Sequence, residues 1–184
     1  MESKTTRKRN ALVLALVLIL AGYAVYQSLH KKHQEEAALA AERGLGANTA
    51  APGFTLKGLD GQTYTAGGER DKPMMINFWA SWCGPCVEEA PDLVKVYEKY
   101  KDQFDLYAVN VTPGDKMDNI RKFVQDNGYS FPVLLDEQGT VAEQYRFIVI
   151  PTSFLVDKHG VIREVINVLP ADQLEAKIKK LIAS

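Results

Sequence analysis

The sequence is short of the residues that several kinds of chemistry require. Its 184 residues include only two cysteines and three histidines. A structural zinc site takes about four N, S or O ligands, with Cys or His pairs at short spacing. Cys83 and Cys86 make one such pair and no second follows: His30 and His33 lie near the N-terminus, and His159 stands alone in Lys158-His159-Gly160, which reads as a turn. No metal site is expected, and no other bound cofactor. With both cysteines in one short motif, no further disulfide can form within the chain, so the fold must stand without staples even in an oxidising compartment. Charge imbalance is lacking too: 22 Lys and Arg against 23 Asp and Glu leave a formal net charge of −1. By count, residues 1–51 carry net +3 and residues 52–184 net −4. A mildly acidic main segment gives no electrostatic footprint for nucleic acid.

What is present is Trp79-Ala80-Ser81-Trp82-Cys83-Gly84-Pro85-Cys86. The cysteine pair has three readings: half of a zinc site, a structural disulfide, or a redox pair that opens and closes. The first lacks its other ligands. The second would stabilise little, because a loop of two intervening residues removes little entropy from the unfolded chain. The third is favoured by position. Met74 to Ala80 is an apolar run on both alternating faces, as in a central buried strand. Gly84-Pro85 then suits the opening of a helix, where the missing proline N–H is not needed. Cys83 would sit at that helix N-terminus, where unpaired N–H groups and the helix dipole stabilise a thiolate. Cys86, one turn in, would be more buried and less ionised. On this asymmetry Cys83 attacks and Cys86 resolves.

The strand, the Trp-Cys-Gly-Pro-Cys run and the helix resemble the thioredoxin superfamily. The fuller pattern from Asn77 to Pro91, with Val87-Glu88-Glu89-Ala90 inside it, is similar to the membrane-anchored TlpA/ResA-like thiol-disulfide oxidoreductases. The resemblance spans about residues 52–184. It implies an α/β thioredoxin-like fold, a central mixed β-sheet flanked by helices, with an added N-terminal β-hairpin. It also implies that Pro151 in Ile150-Pro151-Thr152 is cis and lies against the redox motif, letting the backbone of Ile150 pair with an extended substrate. Trp82, Gly84 and Pro85 complete the expected substrate contacts. Read alone, Pro151 would be an ordinary proline at a strand's entry.

The ends of the chain are read from composition. Residues 1–10 hold Lys4, Arg7, Lys8 and Arg9, and Ala11 to Tyr26 carries no charge. With Gln27, Ser28 and Leu29 the run approaches the roughly 20 residues that span a bilayer. Residues 11–29 are expected to be a transmembrane signal-anchor, preceded by a cytoplasmic basic segment. The positive charges place the N-terminus inside and the domain outside, giving a single-pass protein, and the resemblance implies that the membrane is that of a bacterial cell. A cleaved signal peptide is the competing reading, with Ala21, Gly22 and Ala24 small enough for a peptidase. The length of the run, Tyr23 and Tyr26 at an interface, and the absence of a lipobox cysteine favour the anchor. Residues 30–51, rich in Ala, Glu and Gln and then in Gly and Asn, read as a stalk and flexible linker.

Residues 52–184 have the length of one domain. Pro52 to Leu56 and Gln62 to Thr65 alternate around Asp60-Gly61, a hairpin signal. After Cys86, Pro91 lacks the N–H for Val87 and is expected to kink the helix, while Leu93, Val96, Tyr97 and Tyr100 mark its buried face. Further strands are expected at 106–111, 131–135, 153–156 and 161–168, and helices at 117–127, closed by Gly128, and at 140–145. A last amphipathic helix carries Leu174, Ile178, Leu181 and Ile182. No catalytic candidate follows Pro151.

Before Cys86 can attack, it must lose a proton. Thioredoxins usually carry Asp where this chain has Asn77, and an amide cannot titrate. Glu89 lies at i+3 from Cys86, near the same helix face, whereas Glu88 points about 200° away. The resemblance likewise implies a functional glutamate at Glu89. Some relatives place a second acid in the loop after Val111; this chain has Pro113 there, and Asp115 is not assigned the role.

The expected function is an extracytoplasmic thiol-disulfide oxidoreductase that reduces protein disulfides through Cys83 and Cys86. The resemblance implies apocytochrome c, or proteins of spore and envelope assembly, as substrates, and a membrane electron donor of the CcdA type as partner. Two alternatives remain open: a disulfide-forming oxidase, and a non-catalytic membrane-tethered binding or chaperone module. A peroxidase is disfavoured by the setting of the cysteines.

Overall fold

The computed structural model describes residues 45–184, together with 22–23, 26–28 and 31, which are helical. The basic segment lies outside the described residues, as do most of the proposed anchor and the stalk before residue 45. Among the described residues no helix is long and apolar enough to cross a membrane.

Seven strands form one sheet: β1 Phe54–Gly58, β2 Thr63–Ala66, β3 Met74–Trp79, β4 Asp105–Asn110, β5 Val133–Leu135, β6 Thr152–Val156 and β7 Ile162–Ile166. Their order is β2-β1-β5-β4-β3-β6-β7. The β3–β4 and β4–β5 pairs are parallel, and β3–β6, β6–β7, β1–β2 and β1–β5 are antiparallel. The hairpin read from Asp60-Gly61 is therefore an extension of the central sheet, joined through Lys57 opposite Leu135 and Gly58 opposite Leu134. Among residues 45–184 four helices accompany the sheet: α1 Gly84–Tyr100, α2 Met117–Asp126, α3 Thr140–Tyr145 and α4 Ala171–Ile182.

All six residues of β3 are buried, and its period of two divides the core. Met75 and Trp79 face one side, with Ala90, Leu93 and Val96 of α1, Ile120 and Phe123 of α2, and Leu174, Ile178 and Leu181 of α4. Met74, Ile76 and Phe78 face the other, packed with Phe54, Phe154 and Val141 and Tyr145 of α3. Phe78 and Tyr145 stack there at 5.1 Å between ring centroids. Asn77 shares the parity of Met75 and Trp79, so β3 aims one polar side chain at the α1 face.

Residues 84–100 form one helix with Pro91 inside it, and the carbonyl deprived of its donor belongs to Val87, on the exposed side of α1. One expectation is modified: the end of the expected linker is part of the domain. Asn48 N–H donates to Ile162 O (2.7 Å), Ile162 N–H to Thr49 O (2.8 Å) and Ala51 N–H to Gly160 O (2.9 Å). The free backbone edge beside β7 supplies partners that composition alone does not reveal. Gly128, with φ 65°, follows α2 as expected.

Candidate active site

β3 delivers the motif to the top of the sheet. Beyond Trp79 the chain turns, Cys83 N–H donating to Ala80 O at 3.2 Å, and Cys83 becomes the N-cap of α1 with proline in its first turn. Its Sγ accepts the Cys86 N–H at 3.2 Å. This is the helix-terminal donor that would hold a thiolate on Cys83. The two cysteines are joined as a disulfide with Cα atoms 5.3 Å apart. Both are nearly covered, Cys83 at 4% and Cys86 at 1% exposure, so the expected asymmetry rests on the helix terminus more than on burial.

Around the covered disulfide lies an exposed rim. Trp82 is 64% exposed and Gly84 and Pro85 are exposed. The peptide Ile150-Pro151 is cis, and Ile150 O lies 3.7 Å from Cys83 Sγ. Just before it, Ile148 is 97% exposed and Val149 also faces solvent. Asn167, just after β7, holds this loop by donating to Pro151 O (2.9 Å) and Thr152 Oγ1 (3.0 Å), and Thr152 Oγ1 donates to Val149 O (2.7 Å). Asn167 was not legible in the sequence, because its partners lie across the β6–β7 hairpin.

Glu89 and Glu88 separate as the helix geometry requires: Glu88 is exposed and Glu89 is 3% exposed. Glu89 Oε2 accepts from Asn77 Nδ2 at 3.2 Å, and Asn77 Nδ2 also donates to Ser153 Oγ at 2.9 Å. Burial pushes the Glu89 carboxyl up to about 7, opposed by the Asn77 bond and assisted by the negative charge of Asp92. Tyr129, near enough to feel Glu89, is itself raised, mainly by burial.

A second carboxylate, which sequence reasoning left unassigned, reaches the motif from the loop after β4. Asp115 accepts the Ser81 N–H at 2.7 Å, the Ser81 hydroxyl, Asn110 Nδ2 at 3.0 Å and the Lys116 N–H at 2.8 Å. Burial works to raise its pKa, but the bonds from Ser81, Asn110 and Lys116 hold it below the ordinary range. Its only sequence signal is an aspartate just after the Pro113-Gly114 turn. Among the described residues no group of three His, Cys, Asp or Glu side chains is placed to hold a metal ion.

A family model described as the AhpC/TSA family matches residues 47–165. The chain belongs to this family. Within it, the chain is similar to the thioredoxin-like protein YneN of Bacillus subtilis, 32% identical over 168 residues covering 89% of this chain and 93% of YneN. It is also similar to the thiol-disulfide oxidoreductase ResA of Geobacillus thermodenitrificans, 33% identical over 156 residues covering 84% of this chain and 83% of ResA. Among solved structures, a candidate thiol:disulfide interchange protein DsbE from Chlorobium tepidum superposes with a TM-score of 0.68 at 32% identity, over 75% of this chain and 99% of that one. This AhpC/TSA family member is thus a ResA-like thiol-disulfide oxidoreductase with a thioredoxin-like α/β fold and a redox-active cysteine pair.

Proposed function

We propose that the chain works as a protein-disulfide reductase outside the cytoplasm, held at a bacterial membrane by residues 11–29. The observation that supports the roles of the two cysteines is the placement of Cys83 at the N-terminus of α1, beside Ile150 O, with a neutral-range acid, Glu89, one turn beyond Cys86.

In the reduced enzyme Cys83 thiolate attacks one sulfur of a substrate disulfide. A mixed disulfide forms and the other substrate sulfur leaves as a thiolate. Cys86 gives its proton to the Glu89 carboxylate and attacks Cys83 Sγ. The Cys83–Cys86 disulfide closes and the second substrate sulfur departs, so two electrons pass to the substrate. The exposed Trp82, Gly84 and Pro85 and the half-buried Ile150, backed by the buried Pro151, receive an extended segment, and the exposed Ile148 and Val149 favour apolar neighbours of the substrate cysteine. A carrier of the CcdA type would return two electrons to the closed pair. Apocytochrome c, whose haem-binding cysteines must be reduced, is the substrate we assign.

Full-length Cys86→Ser, incubated reduced with a protein disulfide, should accumulate a mixed disulfide through Cys83, and Cys83→Ser should accumulate none. Capture by Cys83→Ser instead would reverse the two roles.

A further inference from the structure

Asn77 has a polar group at each end of its amide and partners at only one. Nδ2 donates to Glu89 Oε2 and to Ser153 Oγ, while the buried Oδ1 has no hydrogen-bonding partner among the described residues. The contact is fixed by strand pairing, since Asn77 of β3 stands directly opposite Ser153 of β6. A buried acceptor left unpaired is destabilising, so its retention in the middle of the central strand calls for a reason.

Glu89 supplies one. As a carboxylate it can only accept hydrogen bonds; as a carboxylic acid it must also donate one. A fixed cation would hold the first form and exclude the second, and an apolar side chain would serve neither. An amide serves both, because a half-turn about χ2 exchanges oxygen and nitrogen in nearly the same places. Ser153 permits the exchange: its hydroxyl accepts from Nδ2 in one orientation and donates to Oδ1 in the other. One end of the amide is unpaired in either orientation, so turning adds no new orphan.

We propose that Asn77 and Ser153 form a two-state cradle for Glu89, the Asn77 amide turning over as Glu89 gains or releases its proton. Asn77 is then a positioning residue, acting on the base and not on the sulfurs. The proposal rests on the reading of Glu89 as the proton acceptor for Cys86. The other titratable groups that act on or feel Glu89 are Asp92 on α1 and the Tyr129 phenol ahead of β5. Asp92 only opposes ionisation, whereas Asn77 matches both states.

The test uses the oxidised full-length chain, in which neither cysteine titrates. The side-chain NH2 of isotope-labelled Asn77 is followed by NMR from about pH 5 to about pH 9, alongside the Glu89 carboxyl carbon. The NH2 signals should move with the Glu89 midpoint, and their contacts to the Ser153 side chain should weaken on the acid side. In Glu89→Gln this response should vanish. Because the Asn77 bond is stronger to the carboxylate than to the acid and so lowers the Glu89 pKa, Asn77→Leu in the reduced enzyme should shift the acid limb of insulin reduction upward by about one pH unit, an approximately tenfold loss of rate on that limb. An NH2 environment unchanged through the Glu89 titration overturns the cradle, whatever Glu89→Gln does to the rate. An unaltered pH–rate profile in Glu89→Gln overturns the base reading, and the cradle's role in catalysis with it.

Discussion

Glu89 and Asp115 flank the same motif, one beneath it on α1 and one beside it in the loop after β4, and their surroundings drive them in opposite directions. Glu89 is deeply buried and, among the described residues, accepts one hydrogen bond, from Asn77, and its carboxyl is pushed up to about 7. Asp115 is half-buried and takes four hydrogen bonds, from the Ser81 backbone and hydroxyl, Asn110 and Lys116, and it is held down. Burial alone does not make the difference. Asp157 is fully buried at the β6–β7 turn and is also held down, because the Val161 and His159 N–H groups and Arg163 outweigh its desolvation. The number of donors decides which acid stays charged as a structural tie and which can carry a proton near neutrality.

The sharpest way to break this comparison is to remove each charge in turn. Glu89→Gln should slow disulfide reduction by pre-reduced enzyme by about 10- to 100-fold near pH 7, the scale of a lost general base, and flatten the acid limb of the profile. The same substitution should stabilise the fold. Because the folded pKa lies above the ordinary 4.5, the folded chain keeps a proton that the unfolded chain has released, and stability falls as pH rises from about 4.5 to about 7. Glu89→Gln should therefore gain on the order of 3 kcal/mol at pH 8 and little at pH 4, read by urea unfolding. Asp115→Ala should act the other way and less strongly. Its depressed pKa contributes stability that is present above about pH 4 and lost on acidification. The variant should lose about 2 kcal/mol at pH 7, the scale of hydrogen bonds to a charged group, with the acid limb of turnover unmoved. A shifted limb in Asp115→Ala would make the two carboxylates partners in one titration.

The contrast also marks what could be read from the sequence. Cys83, Cys86 and Glu89 lie within one helical turn or two, so spacing alone placed them, and Glu88 was separated from Glu89 by the same arithmetic. The hairpin was legible from Asp60-Gly61, although its attachment to β5 was not, since Lys57 and Leu135 meet only in the folded sheet. The contacts that give each acid its character are equally non-local. Asp115 reaches Ser81 across 34 positions, and Asn77 reaches Ser153 across 76. Local pattern holds no trace of such partners. Residues 48–51 were misread as linker for the same reason: their Gly and Asn neighbours suggested flexibility, and the edge beside β7 that orders them lies more than a hundred residues away.

The central claim is that the Cys83–Cys86 pair donates electrons. Its equilibrium reduction potential, measured on the full chain against a dithiothreitol or glutathione series, tests this most directly. A value of about −270 mV or lower, in the range of thioredoxin, is the result expected of a reductase. A value of about −120 mV, that of a strong oxidant, would contradict the account and make the enzyme a source of disulfides.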